Sequence, residues 1–268
     1  MNLASQSWSK HNSRAFTLVE MLVVIAIGAI LSVLALTDFE TIMNTAANSE
    51  MSDLASTLVR ARAYAMANNT YVYVGIQEVD ASVSDGPGIT PSIGSGHYGR
   101  IALCAVASTT GTSGYTNNAP AALNASSLTV AVPLRNFNNL HILPNASMPT
   151  SLTAKLPYAG TGATPYYLDL TSLSSGTNPS ASLTTFPWPL TGTAQYTFGG
   201  TTAPGTVIQF NPQGEAQIVA AANTDSILQW IEIDLEPTHG NNVPASTSPT
   251  AGAILIDGPS GAVSLIRS

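Results

Sequence analysis

Most side chains here that could do chemistry stand without the partners that chemistry needs. The four histidines, His11, His97, His141 and His239, fall at no metal-ligand spacing with a cysteine or with one another. Cys104 is the single cysteine. It sits in an apolar stretch, where a thiol behaves as a small hydrophobe, and alone it excludes an intrachain disulfide. Asp85-Gly86-Pro87-Gly88 reads as a turn, with weak Ca²⁺ binding as the lesser alternative. Gly94-Ser95-Gly96 lacks the strand-then-helix setting of a dinucleotide loop, and no Gly-x-Ser-x-Gly elbow occurs. Glu232, Asp234 and Glu236 alternate along a predicted strand and read as a solvated face. These residues predict neither a metal, nor a cofactor, nor an enzyme. Glu20 is different. It is the only charged residue between Phe16 and Leu36, and a carboxylate deep in lipid costs about 2.5–3.5 kcal/mol. Such a residue calls for a function.

The element that positions Glu20 is the apolar run itself. Residues 16–36 are long enough to cross a hydrocarbon core about 30 Å thick as a helix. Before it stand a polar segment, residues 1–15, and the basic residues Lys10 and Arg14, which hold an N-terminus in the cytoplasm and send the bulk of the chain across. The same order suits a secretory signal peptide cut near Val33-Leu34-Ala35, or an uncleaved anchor. The helical pattern continues past the run. Phe39, Ile42, Met43, Ala46 and Ala47, then Met51, Leu54, Ala55, Leu58, Val59 and Arg62, recur at three- and four-residue steps. No proline interrupts from Phe16 to Asn69, so a single helix of about 80 Å is predicted. Its second half, residues 37–69, would form a stalk packed on the C-terminal domain. Arg60 and Arg62 read as solvated or paired with nearby acids.

Ala15-Phe16-Thr17-Leu18-Val19-Glu20 before an unbroken apolar run resembles the processing and methylation site of type IV pilins and type II secretion pseudopilins. The resemblance implies that a prepilin peptidase cuts between Ala15 and Phe16 and that the new Phe16 amino group is N-methylated. It also implies that Glu20 meets that amino group on a neighbouring subunit during filament assembly. Two opposite charges that are each costly in low dielectric offset much of that cost by pairing, which would make Glu20 a register device. The chain departs from the family in carrying Ala15 where Gly usually precedes the cut. Ala61-Arg62-Ala63-Tyr64-Ala65-Met66-Ala67-Asn68-Asn69, then Tyr71-Val72-Tyr73-Val74, resembles the end of the stalk helix in GspH/FimT-like minor pseudopilins. Tyr64 there fills a slot that is often acidic. Phe210-x-Pro212-x-Gly214 before a strand, with a closing Gly-Ala-Val hairpin, resembles that family's β domain.

From residue 70 to 268 the chain reads as strands. Candidates are Tyr71 to Gln77, which alternates, Tyr98 to Val106, Leu128 to Leu134 and Asn139 to Leu143. Thr206 to Phe210, Glu215 to Ala221, Ile227 to Leu235, Ala253 to Ile256 and Ala262 to Ile266 complete the set. Residues 144–204, rich in Ser, Thr, Gly, Ala and Pro, read as a loop-rich insertion with room for short strands. With no helical pattern between strands, antiparallel pairing is expected. The fold class is therefore α+β, one long helix packed on one or two antiparallel sheets.

Composition narrows the function. Charged residues are 9% of 268, the net charge is −7, and all fifteen acids lie at or after Glu20. An acidic, aromatic-poor chain lacks the clustered basic face that nucleic acid requires. The resemblance implies a minor pseudopilin or pilin-like structural subunit of a type II secretion or type IV pilus-like filament. Its partners would be the prepilin peptidase, other pseudopilins or minor pilins met through the helix, and the bacterial inner membrane, with the C-terminal domain periplasmic. The alternative is a surface minor pilin acting as an adhesin or uptake receptor.

Overall fold

The computed structural model describes residues 17–84, 89, 96–113, 115–116, 119–120, 124–144, 147–161, 165–168, 186–198, 205–218, 227, 229–244, 248 and 250–268, with the backbone alone for 33–43, 115–116, 119–120 and 205–206. Helix α1 spans Leu18–Ala67. The chain divides into two units between Met43 and Asn44.

Local chemistry sets both ends of α1. At its start Thr17 Oγ1 accepts the Glu20 N–H at 3.3 Å, and the Glu20 carboxylate accepts the Thr17 N–H at 2.8 Å. This reciprocal capping box satisfies two donors that the first turn would otherwise orphan. At its end Asn69 takes the left-handed conformation, with φ of 48°. There Thr70 N–H donates to Ala65 and Asn69 N–H to Met66, the pair of bonds that define a Schellman stop.

In the unit from Asn44 onward, the helix contributes Ala47, Met51, Leu54, Leu58, Ala61 and Ala65, all buried. They lie at the three- and four-residue steps of one face. Val59, expected on that face, points outward, as does Met66. The strands are β1 (Val72–Asp80), β2 (Gly99–Ser108), β3 (Tyr115–Thr116), β4 (Ala119–Pro120), β5 (Leu128–Asn138), β6 (Leu140–Ile142) and β7 (Tyr166–Tyr167). After them come β8 (Phe186–Trp188), β9 (Tyr196–Phe198), β10 (Gly205–Phe210), β11 (Ala216–Ile218), β12 (Trp230–Pro237), β13 (Gly252–Asp257) and β14 (Val263–Arg267). Two sheets carry the domain, ordered β11-β10-β1-β2-β5 and β14-β13-β12-β6. The inner faces of both close on the helix stripe in one core, through Val74, Ile76 and Leu103 from the first sheet and Ile231, Ile233 and Ile254 from the second. The architecture is α+β, a helix with antiparallel sheets.

The insertion covers the sheets' outer faces. The β8–β9 hairpin lays Phe186, Tyr196 and Phe198 on Tyr73, Ala102, Cys104 and Val207 of the first sheet. Here β1 has no side chain Cβ at Gly75, and one would sit 2.4 Å from Phe198 Cγ. Behind the second sheet, Met148, Leu152 and Leu156 pack on Ala251 and Ala253. Leu152 lies in a single-turn helix, α2 (Thr150–Thr153), which lacks enough residues to show a period.

Two expectations need correction. Strand β1 does not alternate between core and water, because all nine of its residues are buried, Val72, Val74 and Ile76 against the helix and Tyr73 and Val79 in the cluster that the hairpin completes. Pairing is not wholly antiparallel, since β7 runs parallel to β12, reached by the long connection that parallel neighbours require. Half-buried Arg62 donates its Nε–H to the Gly214 carbonyl at 3.2 Å. That carbonyl is also where the two sheets touch, since a Cβ on Gly261 would lie 1.8 Å from it. The glycines at 214 and 261 both have positive φ, 86° and 64°, so each serves turn and close approach together.

Candidate functional site

Glu20 occupies the third position of α1, and its side chain is committed locally. Its Oε2 accepts both the backbone N–H and the hydroxyl of Thr17, each at 2.8 Å. One carboxylate oxygen thus closes the helix start while the side chain stays exposed. Around it the helix offers apolar side chains on every side. Leu18, Val19, Met21, Leu22, Ile25, Ile27, Ile30 and Leu31 are all exposed, Leu18 to 81%. Water does not favour a helix apolar all round; such a helix belongs in a protein interior or a membrane. Among the described residues no helix is long and apolar enough to cross a membrane. Side chains at this end of α1 are described only from residue 17 to 32, short of the roughly 20 a span takes. Ala15 and Phe16, the residues expected to flank the cut, lie outside the described residues, as does Asp85-Gly86-Pro87-Gly88.

The polar residues of the β domain form interior ties. At one end of the sheets, Glu78 on β1 accepts the Gly99 N–H of β2 at 3.0 Å and the Ile142 N–H at the end of β6 at 3.2 Å. His141 Nδ1 lies 2.9 and 3.0 Å from its two oxygens. Glu78 and His141 are both buried, so the pair joins the first sheet to the second. Nearby Asp80 receives the Ser82 hydroxyl and N–H and lies 3.0 Å from His97. The bonds from Ser82, more than the imidazole, hold its carboxyl below the usual range. Cys104 is buried in β2, and burial pushes its thiol up, away from the reactive thiolate.

The acids of β12 are the residues that the sequence misplaces. Glu232, Asp234 and Glu236 do share a face, but all three are buried, Glu232 completely. Alternation alone cannot distinguish a face covered by water from one covered by a distant segment. Tyr158 donates its hydroxyl to Glu232 Oε2, and Ser248 N–H reaches Glu236 at 3.4 Å. Burial raises the carboxyls of both Glu232 and Glu236. Among the described residues, no three His, Cys, Asp or Glu side chains form a group able to hold a metal ion.

Residues 10–36 match the model of the prokaryotic N-terminal methylation motif. The match contains Ala15, Phe16 and Glu20 and ends where the apolar run ends. With the α+β arrangement of helix and antiparallel sheets, it supports a type IV pilin or pseudopilin class of precursor, the kind a prepilin peptidase processes. That class is structural in general rather than enzymatic. Comparison with curated proteins returned no match, and neither did comparison with solved structures.

Proposed function

We propose that this chain is a minor pseudopilin or pilin-like structural subunit, cut between Ala15 and Phe16, N-methylated at Phe16, and assembled into a type II secretion or type IV pilus-like filament. The observation that carries the reading is the methylation motif over residues 10–36, placed on the start of α1, whose described side chains from residue 17 to 32 are exposed and mostly apolar. Residues 16–36 anchor the precursor in the inner membrane, with residues 1–15 cytoplasmic and the β domain periplasmic. In the filament that surface is covered by neighbouring helices. The Phe16 α-amino group, with an ordinary pKa of about 7.7–8.0, is largely cationic and stays so after methylation. It pairs with Glu20 of a neighbour. The capping box supports this division of labour, because only Oε2 is held by Thr17 and Oε1 is left for an incoming amine. The GspH/FimT-like subtype rests on the resemblance at residues 61–74.

Assembly is tested by cross-linking between cysteines placed on adjacent subunits' helices in membranes that contain the partner pilins. Glu20→Ala should lose the cross-linked ladder while the protein still reaches the membrane. A ladder of wild-type intensity from Glu20→Ala would remove Glu20 from assembly.

A further inference from the structure

The last turn of α1 carries a side chain that the filament reading leaves without a role. Met66 is 46% exposed, whereas Met51 and Met148, the other described methionine side chains from Asn44 onward, are buried at 0% and 9%. A water-borne oxidant has to reach the sulfur, so an open thioether reacts ahead of a sealed one. Met21 is exposed as well, but it lies on the apolar start of α1, a surface that belongs in a membrane or a bundle.

What surrounds that sulfur gives its oxidation a consequence. Met66 Sδ and Cγ lie 2.7 and 3.1 Å from the point where a Cβ on Gly214 would sit, and Arg62 Nε lies 3.2 Å from the same point. Thioether and guanidinium thus flank one glycine, four residues apart on one helix face. Arg62 Nε–H donates to the Gly214 carbonyl at 3.2 Å, and Nε stands 3.0 Å from where a Cβ on Gly261 would be. Across the same junction the Ala216 N–H donates to the Gly258 carbonyl at 2.8 Å. The end of the helix, the β10–β11 turn and the β13–β14 turn therefore meet beside Met66. A thioether suits that place because it is apolar and only a weak acceptor, which leaves Arg62 to the carbonyl.

We propose that Met66 is an oxidation site, and that its sulfoxide draws Arg62 off the Gly214 carbonyl and loosens the junction between the two sheets. The oxidant is a hydroperoxide, hydrogen peroxide being the simplest. A sulfur lone pair attacks one peroxide oxygen, the S–O bond forms as the O–O bond breaks, and the second oxygen leaves as water with both protons. Sulfur loses two electrons and the peroxide gains them. The product replaces an apolar thioether by a strongly polar group, whose S–O bond is more polarised than a carbonyl. The guanidinium beside it offers five N–H groups and no acceptor. Reduction by the two methionine sulfoxide reductase activities, one for each epimer, returns the thioether and closes the junction again. The oxidation site is independent of the filament reading and stands or falls separately from it.

The test treats the full chain in detergent with hydrogen peroxide and follows it by peptide mass spectrometry and amide exchange. Met66 sulfoxide should form well before the sulfoxide of Met51 or Met148. As it forms, the amides of Gly214, Ala216 and Gly261 should exchange about tenfold faster, the factor that one hydrogen bond to a charged group is worth. The amides of β2 should not change, and both reductases together should restore slow exchange at the junction. Met66→Leu keeps an apolar side chain without the sulfur and should exchange slowly before and after peroxide. Arg62→Gln should exchange fast at Gly214 from the outset and gain nothing further on oxidation. Met66 oxidising no faster than Met148 would overturn the proposal, as would unchanged or slower junction exchange in fully oxidised wild type. A Met66→Leu protein that still loosens in peroxide, or a further tenfold gain in Arg62→Gln, would do the same. Should neither variant fold, the wild type decides alone through its oxidised and enzymatically reduced forms.

Discussion

At the scale of single residues, the chemistry of this chain lies in where its few charges are put. Glu78 is buried yet holds two backbone donors and His141, which is how an interior carboxylate avoids an uncompensated cost. Glu78→Ala strips all three of their partner and should cost about 3–5 kcal/mol, read as a lowered denaturant midpoint. Glu236 shows the opposite balance, since burial outweighs its Ser248 bond and raises its carboxyl. A carboxyl raised in the folded state adds stability that is whole below the unfolded pKa of about 4.3 and drains away as pH rises through the folded value. The wild type should therefore lose stability relative to Glu236→Gln as pH climbs from about 4.3, in paired denaturation curves. Asp80 has the contrary sign: its lowered carboxyl adds stability above about pH 3.9 that is lost on acidification. None of these roles was legible in the sequence, because alternation at Glu232, Asp234 and Glu236 says that they share a face and nothing about what covers it. Glu20 was legible for the reverse reason, being a charge inside an apolar run where every alternative is costly.

At the scale of elements, periodicity served the helix best. Met51, Leu54 and Leu58 were readable as the buried face because the segment around them is long and keeps one period. Val59 was misplaced because its slot is adjacent to that face and is settled only by which sheet edge approaches. Leu54→Ala should destabilise the domain by about 2–5 kcal/mol, the range for emptying a sealed core site, measured by thermal or chemical unfolding. Strand β1 was recognised, but its outer side was expected in water, since the hairpin that buries it enters from more than a hundred residues away. Gly75 marks that contact. Gly75→Ala would bring a methyl group to 2.4 Å from Phe198 Cγ, and overpacking of this kind costs about 1–3 kcal/mol. Loss of near-ultraviolet signal from the β8–β9 aromatics, with the helix retained, would locate the damage there.

At the scale of the whole molecule, the two units answer to different solvents. Residues from Asn44 onward bury their apolar surface internally, with helix and two sheets sharing one core. The start of α1 buries none of its own, displaying Leu18 through Leu31 instead. A chain that solves the problem in one part and leaves it open in the other needs a membrane or a bundle of like helices to finish the job. The motif over residues 10–36 names the processing that would convert one into the other. The most direct test is the N-terminus of the mature protein, isolated from cells that contain the prepilin peptidase and read by mass spectrometry. A chain beginning at N-methylated Phe16 is the expected result. A chain beginning near Leu36, or one retaining residues 1–15 in full, would contradict it.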